Sequence, residues 1–483
     1  MSRMPDLEAF SQNAWPNLRF DLAAAMGLFH RFIPAAFYYK TMMWPDWSWY
    51  EEPVRAMTGL GKTPQQQDPQ NYHKRNRHCD VLIVGAGPAG LAAALEAGRS
   101  GVRVMLLDQQ ERLGGSLLSG AEAIDGRPAL EWLATAEAEL AAMDNVTLLP
   151  RTTVFGYYSH NFLGAVERVN DHHANVQGQS APRERLWRIR ARQVVLATGA
   201  LERPLVFARN DTPGVMLANS VREYLNRFGV AAGKKLLVVT NNDSAYRTAL
   251  DAHDAGFEVA GIVDPRRVHP GHWQNAALER GITLYSGHAI ADVHGGRAVS
   301  GVTLARHEGS GKLGDEAAKL SCDVLAVSGG WTPTIHLSSP AGGSLDYDEQ
   351  KICLVPRGNC REAVRVAGAA NGDFSLSRCL NQGAAAGAQA ADDISGQARA
   401  AVAYQCEEPH EQAPEAFWYT KSARSDKQWL DFQYDVKVLD IELALRENFS
   451  SVEHVKRYTT QGMACDQGKT GNVNSLGVMA ELT

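Results

Sequence analysis

Gly85, Gly87 and Gly90, in the run Gly85-Ala86-Gly87-Pro88-Ala89-Gly90, have the spacing of a turn that cradles a pyrophosphate. Gly85 permits the tight turn, Gly87 lets backbone approach a phosphate, and Gly90 lets the following helix pack close to a sheet. The helix N-terminus behind Pro88 and Ala89 then offers free N–H groups and a partial positive charge. Asp108, with Gln109 after it, ends a second apolar run and is placed to accept hydrogen bonds from a ribose. The elements that must position these residues are legible around them. Val81-Leu82-Ile83-Val84 reads as a strand, Leu91 to Arg99 as a helix and Val102 to Leu107 as the next strand. Gly114 and Gly115 close the unit, so the candidate nucleotide contacts here are Gly85, Gly87, Pro88, Ala89, Gly90, Asp108, Gln109 and Gly115.

A later apolar run, Gln193 to Ala197, enters Thr198-Gly199-Ala200. It resembles the last strand of the first nucleotide domain in flavoproteins with two dinucleotide domains, and adds Ala197, Thr198 and Gly199 to the candidate site. A second strand–helix–strand unit begins at Lys234 and ends on Asp264, but its turn reads Thr240-Asn241-Asn242-Asp243-Ser244-Ala245. All three glycines are missing. Asn242 and Ser244 would obstruct a phosphate and Asp243 would repel it, so the fold is expected to be kept and the nucleotide site lost. The strand Arg365 to Ala370 carries Ala369 where flavin-binding relatives usually place an Asp for the ribityl chain, which counts against FAD in the first site.

The fold expected is α/β, with two Rossmann-like dinucleotide-binding domains of the FAD/NAD(P)-binding, disulfide-reductase-like type and a small helical C-terminal domain. Length supports this, since 483 residues exceed one ordinary core. The boundaries read as residues 1–78, an aromatic-rich segment and polar linker; 79–205 plus 330–400, the first Rossmann domain; 206–329, the inserted second; and 401–483, the helical domain. The aromatic residues of the first segment, Trp15 to Tyr50, either cover the chain's own first domain or form an interface with another subunit. A net charge of −6 gives no reason to propose nucleic acid or an anionic membrane as partner. Seven scattered cysteines without a CxxC fit a reducing cytoplasm and buried apolar thiols. The adjacent pair His172-His173 reads as a surface loop, not a metal site.

The first unit, the altered turn Thr240 to Tyr246, the strand Val366 to Gly372 and above all the C-terminal runs resemble the alpha subunit of heterotetrameric sarcosine oxidase. Those runs are Asp431 to Val436, Glu453 to Thr460, Gln461-Gly462-Met463 and Asp466 to Asn472. The resemblance implies NAD in the first Rossmann site, held as a structural or regulatory group, with FAD as the alternative occupant. It implies a beta-like flavoprotein partner that oxidises the amine, with gamma and delta subunits beside it, and an FMN near the interface. Lys456, Arg457, Thr459, Thr460 and Lys469 form a basic, hydroxyl-bearing group, which either meets the FMN phosphate, with Lys456, Thr460 and Lys469 as its contacts, or is the solvated charged face of a small helical domain. The family alpha subunit opens with a ferredoxin-like domain and ends with a folate-binding domain, and this sequence shows neither. Related amine dehydrogenase subunits hold an iron–sulfur cluster at positions that here carry Asp431, Gln433, Asp466 and Gly471, so no cluster is expected. No catalytic residue is nominated on this chain. The alternative function is a free-standing FAD-dependent NAD(P)H oxidoreductase.

Overall fold

The computed structural model describes residues 14–17, 19–33, 37–57, 67–68, 70–171, 182–267, 271–358, 360–421 and 424–483. His172 and His173 lie outside the described residues.

The first sheet is built on β1 (Tyr72–Val84), α1 (Pro88–Arg99), β2 (Val104–Leu107), α2 (Ala129–Ala141), β3 (Val146–Leu149), β4 (Thr152–Tyr158), β5 (Phe162–Arg168) and β6 (Glu184–Leu196). Its strand order is β3-β2-β1-β6-β5-β4. The continuous apolar run Val81 to Val84 suits a central parallel strand, covered on both faces. Polar Tyr72 to Arg77 was expected to be linker. It is the first half of β1, because β6 pairs with it along its whole length from Tyr72 to Val84. The stretch after Leu149 holds the antiparallel pair β4–β5, with alternating burial along the first half of β4.

The second domain follows β7 (Ala200–Glu202). It contains β8 (Val215–Leu217), α3 (Ala218–Phe228), β9 (Lys235–Thr240), α4 (Tyr246–Asp254), β10 (Glu258–Asp264), β11 (Leu284–Ser286), an antiparallel sheet β12 (His288–His294), β13 (Gly301–His307) and β14 (Leu313–Ser321), and β15 (Val324–Ser328). Its parallel sheet has the order β8-β15-β9-β10-β11. The chain returns through β16 (Trp331–Pro333), which pairs antiparallel with β7, so both crossings between domains form one ribbon. Strand β17 (Val364–Val366) then adds to β6 in the first sheet.

Helix α5 (Leu376–Ser395) packs on α1, and only small residues allow it. A Cβ at Gly383 would lie 2.0 Å from the Ala89 carbonyl oxygen, and one at Gly387 would lie 2.2 Å from that of Ala93. The C-terminal module holds α6 (Val438–Arg446), α7 (Val452–Thr459) and α8 (Asn472–Leu482) around Val438, Ile441, Val455 and Val478.

Among the described aromatic side chains near the N-terminus, four stand largely in solvent. Trp15, Phe20, Trp44 and Trp49 are 62–83% exposed, and Lys40 binds Glu447 and Tyr458 of the C-terminal module. Cys465 is exposed, whereas Cys79, Cys322, Cys353 and Cys379 are buried as expected of apolar thiols. No helix among the described residues is long and apolar enough to cross a membrane.

Candidate functional site

The first turn is shaped by contacts that leave one glycine facing open space. Gly85 has φ +99°, and a Cβ there would meet the Ala197 carbonyl oxygen at 2.2 Å. A Cβ at Gly90 would lie 1.8 Å from the Gly85 carbonyl oxygen, so Gly90 serves helix packing and is not part of the cavity wall. Gly87 has nothing within 4 Å of its would-be Cβ. It is also the N-cap of α1, where no side chain caps the first turn. Open space beside uncapped N–H groups is what a pyrophosphate requires, so the residues present fit the dinucleotide that the fold implies.

Asp108 holds this turn in place. Its Oδ2 accepts the Ala86 N–H at 2.6 Å and its Oδ1 accepts the Gln110 N–H at 2.7 Å. Each oxygen keeps a lone pair for a ribose hydroxyl. Gly115, at φ +54°, presses on Gly87, with a would-be Cβ 2.9 Å from the Gly87 Cα. The Thr198 hydroxyl donates to the Thr334 carbonyl at 2.7 Å and so faces the crossover.

A cavity of about 870 Å³ begins at this turn and runs between the two domains. The structure brings Gly85, Gly87, Pro88, Ala89, Asp108, Gln109, Gly115, Ala197, Thr198 and Gly199 together on its wall, along with Ala369. Lys469 of the C-terminal module lines the same cavity, whereas Lys456 and Thr460 do not. The expected group is therefore split, with Lys469 alone of its members on the cavity wall. Lys456 is half-buried on α7 and Thr460 is its left-handed C-cap at φ 64°.

Other cavity residues gave no local signal in sequence, because distant elements bring them in. Arg247 donates to Glu122 at 3.0 Å and to Glu411 at 2.9 Å, and Arg222 donates to Asp251 at 2.6 Å. Glu202, on β7, accepts the Asn219 N–H of α3 at 2.8 Å. Burial pushes its carboxyl up to about 7, against the pull of that N–H and the Ser328 hydroxyl. Burial, and then the Lys469 charge, hold His336 below the ordinary histidine range.

The second turn is filled by the protein itself. Asn242 Oδ1 accepts the Ser244 N–H at 3.2 Å and the Ser244 hydroxyl at 2.6 Å, capping the turn where a phosphate would sit. Asp243 is 1% exposed and accepts from Arg266 at 2.7 Å, Gln274 at 3.0 Å and the Gln412 N–H at 2.8 Å. Asp264, the terminal acid, accepts from Arg266 at 2.7 Å and from the Tyr246 hydroxyl at 3.1 Å. Residues 411–415 then cross over the turn, with Asn241 Nδ2 donating to the Glu415 carbonyl at 2.7 Å.

In the C-terminal module the four positions of interest bond locally. Asp431 Oδ2 accepts the Gly462 N–H at 3.0 Å, the Gln433 side chain accepts the Asp466 N–H at 3.4 Å, and the Thr470 hydroxyl donates to Asp466 at 2.9 Å. A Cβ at Gly471 would lie 2.3 Å from the Leu430 carbonyl oxygen. Among the described residues no group of His, Cys, Asp and Glu could hold a metal ion.

Comparison with known proteins agrees with this architecture. Residues 425–483 match the sarcosine oxidase A3 domain. The sequence is 43% identical to sarcosine oxidase subunit alpha of Rhizobium meliloti (strain 1021), over 98% of this chain and 47% of that protein. It is 42% identical to the subunit of the same name from Corynebacterium sp. (strain U-96), over 88% of this chain and 44% of that protein. The chain thus spans about half the length of the curated relatives it matches. Among solved structures, L-proline dehydrogenase from P. horikoshii aligns with a TM-score of 0.64 at 20% identity, covering 85% of this chain and 75% of that one. Thioredoxin reductase from T. acidophilum aligns with a TM-score of 0.51 at 18% identity, covering 66% of this chain and 99% of that one. Both likenesses concern the fold. Residues 79–355 match the pyridine nucleotide-disulphide oxidoreductase family, and the chain, with its open first turn and paired Rossmann units, belongs to that family.

Proposed function

We propose that this chain is the NAD-binding alpha-type subunit, or a part of it, of a sarcosine oxidase-like complex. It supports oxidative demethylation of sarcosine, the secondary amine N-methylglycine, by flavins on a beta-like partner, with gamma- and delta-like chains completing the assembly. The observation that carries this reading is the contrast between the turns. Gly87 faces open space, whereas Asn242, Asp243 and residues 411–415 fill the matching site in the second unit. A two-nucleotide reductase needs both sites, so a filled second turn supports a chain that keeps one dinucleotide and passes no hydride between two.

In this reading the α1 N-terminus binds the pyrophosphate, Gly87 admits it, and Asp108 orients a ribose while bracing the turn through the Ala86 N–H. Bound here, the dinucleotide supplies charge and shape to the space between the domains. Lys469 faces that same cavity and is assigned to its anionic groups; Lys456 and Thr460 remain the candidates for an interfacial FMN phosphate. The alternative, a free-standing FAD-dependent NAD(P)H oxidoreductase, is disfavoured by the filled second turn and by Ala369 on the cavity wall. A cytoplasmic setting fits the free cysteines.

Co-expression with the candidate beta-like chain tests the proposal. The expected result is a complex that oxidises sarcosine and carries its flavin on the partner. A chain that alone holds stoichiometric FAD and oxidises NADH would overturn it.

A further inference from the structure

Residues 396–420 contain no helix or strand, yet they are fastened along their length to both domains. The Tyr404 N–H donates to Asn381 at 2.9 Å, and the Gln405 N–H donates to Asp125 at 2.8 Å. Between those anchors and the second turn stands Glu408. Its Oε1 accepts the Leu376 N–H at 2.6 Å, and its Oε2 accepts the Ser377 N–H at 2.9 Å and the Ser375 hydroxyl at 2.6 Å. Glu408 therefore occupies the N-terminus of α5 and lines the dinucleotide cavity beside Trp331, Phe374 and Leu376.

The sheet order fixes which end of the cavity this is. Asp108 follows β2 on one side of the glycine turn, while β6 and β17 lie on the other. A dinucleotide laid across the carboxyl ends of the strands, with its pyrophosphate at α1, puts one ribose at Asp108. Its second ring then lies over β17 and α5. There a free helix N-terminus would favour a ring bearing carbonyls or negative charge. Here those donors are spent on Glu408. A fixed carboxylate and two aromatic rings, Trp331 and Phe374, whose centroids are 6.5 Å apart, face the cavity there. The neighbouring arginines do not cancel it, because Arg247 is held by Glu122 and Glu411 and Arg222 by Asp251. Lys469 enters from the C-terminal module, beside His336.

We propose that Glu408, with Trp331 and Phe374, makes this end of the cavity selective for a cationic aromatic ring, so that the site retains the oxidised, pyridinium form of a nicotinamide dinucleotide over the reduced form. The two forms differ there by one positive charge, which a carboxylate and aromatic faces both favour. A flavin, whose ring gains electron density on reduction, meets the opposite environment. The inference rests on the reading of the first turn as an NAD site.

Equilibrium dialysis of the nucleotide-stripped chain against NAD+, NADH and AMP tests it. The wild type should bind NAD+ about tenfold more tightly than NADH. Glu408→Gln, which keeps an acceptor for α5 but loses the charge, should bring the ratio close to one without changing AMP binding. Should that variant fail to fold, Phe374→Leu, which leaves the helix cap intact, should lower the ratio in the same direction. Equal binding of both forms by the wild type, or a ratio that neither variant alters, overturns the selectivity while leaving the NAD site standing. Failure of all three nucleotides to bind overturns the underlying reading instead.

Discussion

The two Rossmann turns of this chain share a topology and differ in what fills them. Each follows a central parallel strand, β1 or β9, and each precedes a helix and a second strand ending on an acid. In the first, glycines keep backbone close to backbone and leave Gly87 facing open space. In the second, Thr240, Asn242 and Ala245 stand in the turn, Asn242 caps the short 3-10 turn ahead of α4, and Asp243 is buried against Arg266. The difference shows that glycine keeps the space beside the first turn open. Side chains that satisfy the same N–H groups fill that space in the second turn while the fold is kept.

The largest effect is expected at Gly90. Gly90→Val would drive a branched side chain into the Gly85 carbonyl, and a loss above about 5 kcal/mol is expected, read as failure to recover folded protein. At the second turn the comparable effect is electrostatic. Asp243→Ala removes one of the two carboxylates on buried Arg266, for a cost of about 3 kcal/mol in chemical denaturation, with nucleotide content unchanged.

Glu202 joins the crossover ribbon to α3 and gives a pH signature. Its folded pKa of about 7 lies above the ordinary glutamate value, so the fold favours the protonated form. That contribution is fully present below the unfolded pKa and is lost as pH rises through 7. Glu202→Gln should therefore be more stable than the wild type by about 2 kcal/mol at pH 8, with a flatter Tm against pH. Asn242→Ala removes the cap of the second turn and should cost about 1 kcal/mol, again without touching nucleotide content. The smallest stability effect belongs to Gly87→Val. Its Cβ meets nothing, so Tm should shift by less than the equivalent of about 0.5 kcal/mol while bound nucleotide disappears.

The two turns also mark how far sequence reading reaches. Val81 to Asp108 was legible because a buried strand, a glycine turn and a helix each carry a local pattern, and the loss of glycines at Thr240 to Ala245 was equally local. The charged half of β1 was not legible, because its strand character comes from pairing with β6, more than 100 residues away in sequence. The pair β4–β5 was missed because Gly156 and Gly164 interrupt its alternation where Tyr158 and Phe155 pack over them. Glu408 and Arg247 belong to the cavity only through tertiary placement. Residues 396–420 carry no periodicity, so nothing local announces that they cross the second turn and cap α5. Lys469 was noticed as part of a basic group, but its separation from Lys456 and Thr460 depends on how the C-terminal module docks.

The proposed reading puts NAD at the first turn, while the second is filled by the chain's own side chains. It is tested most directly by purifying the chain alone, denaturing it and identifying the nucleotide released. NAD is expected at close to one equivalent, without flavin, and is expected to be absent from Gly87→Val. Stoichiometric FAD, or two equivalents of nucleotide per chain, would contradict it.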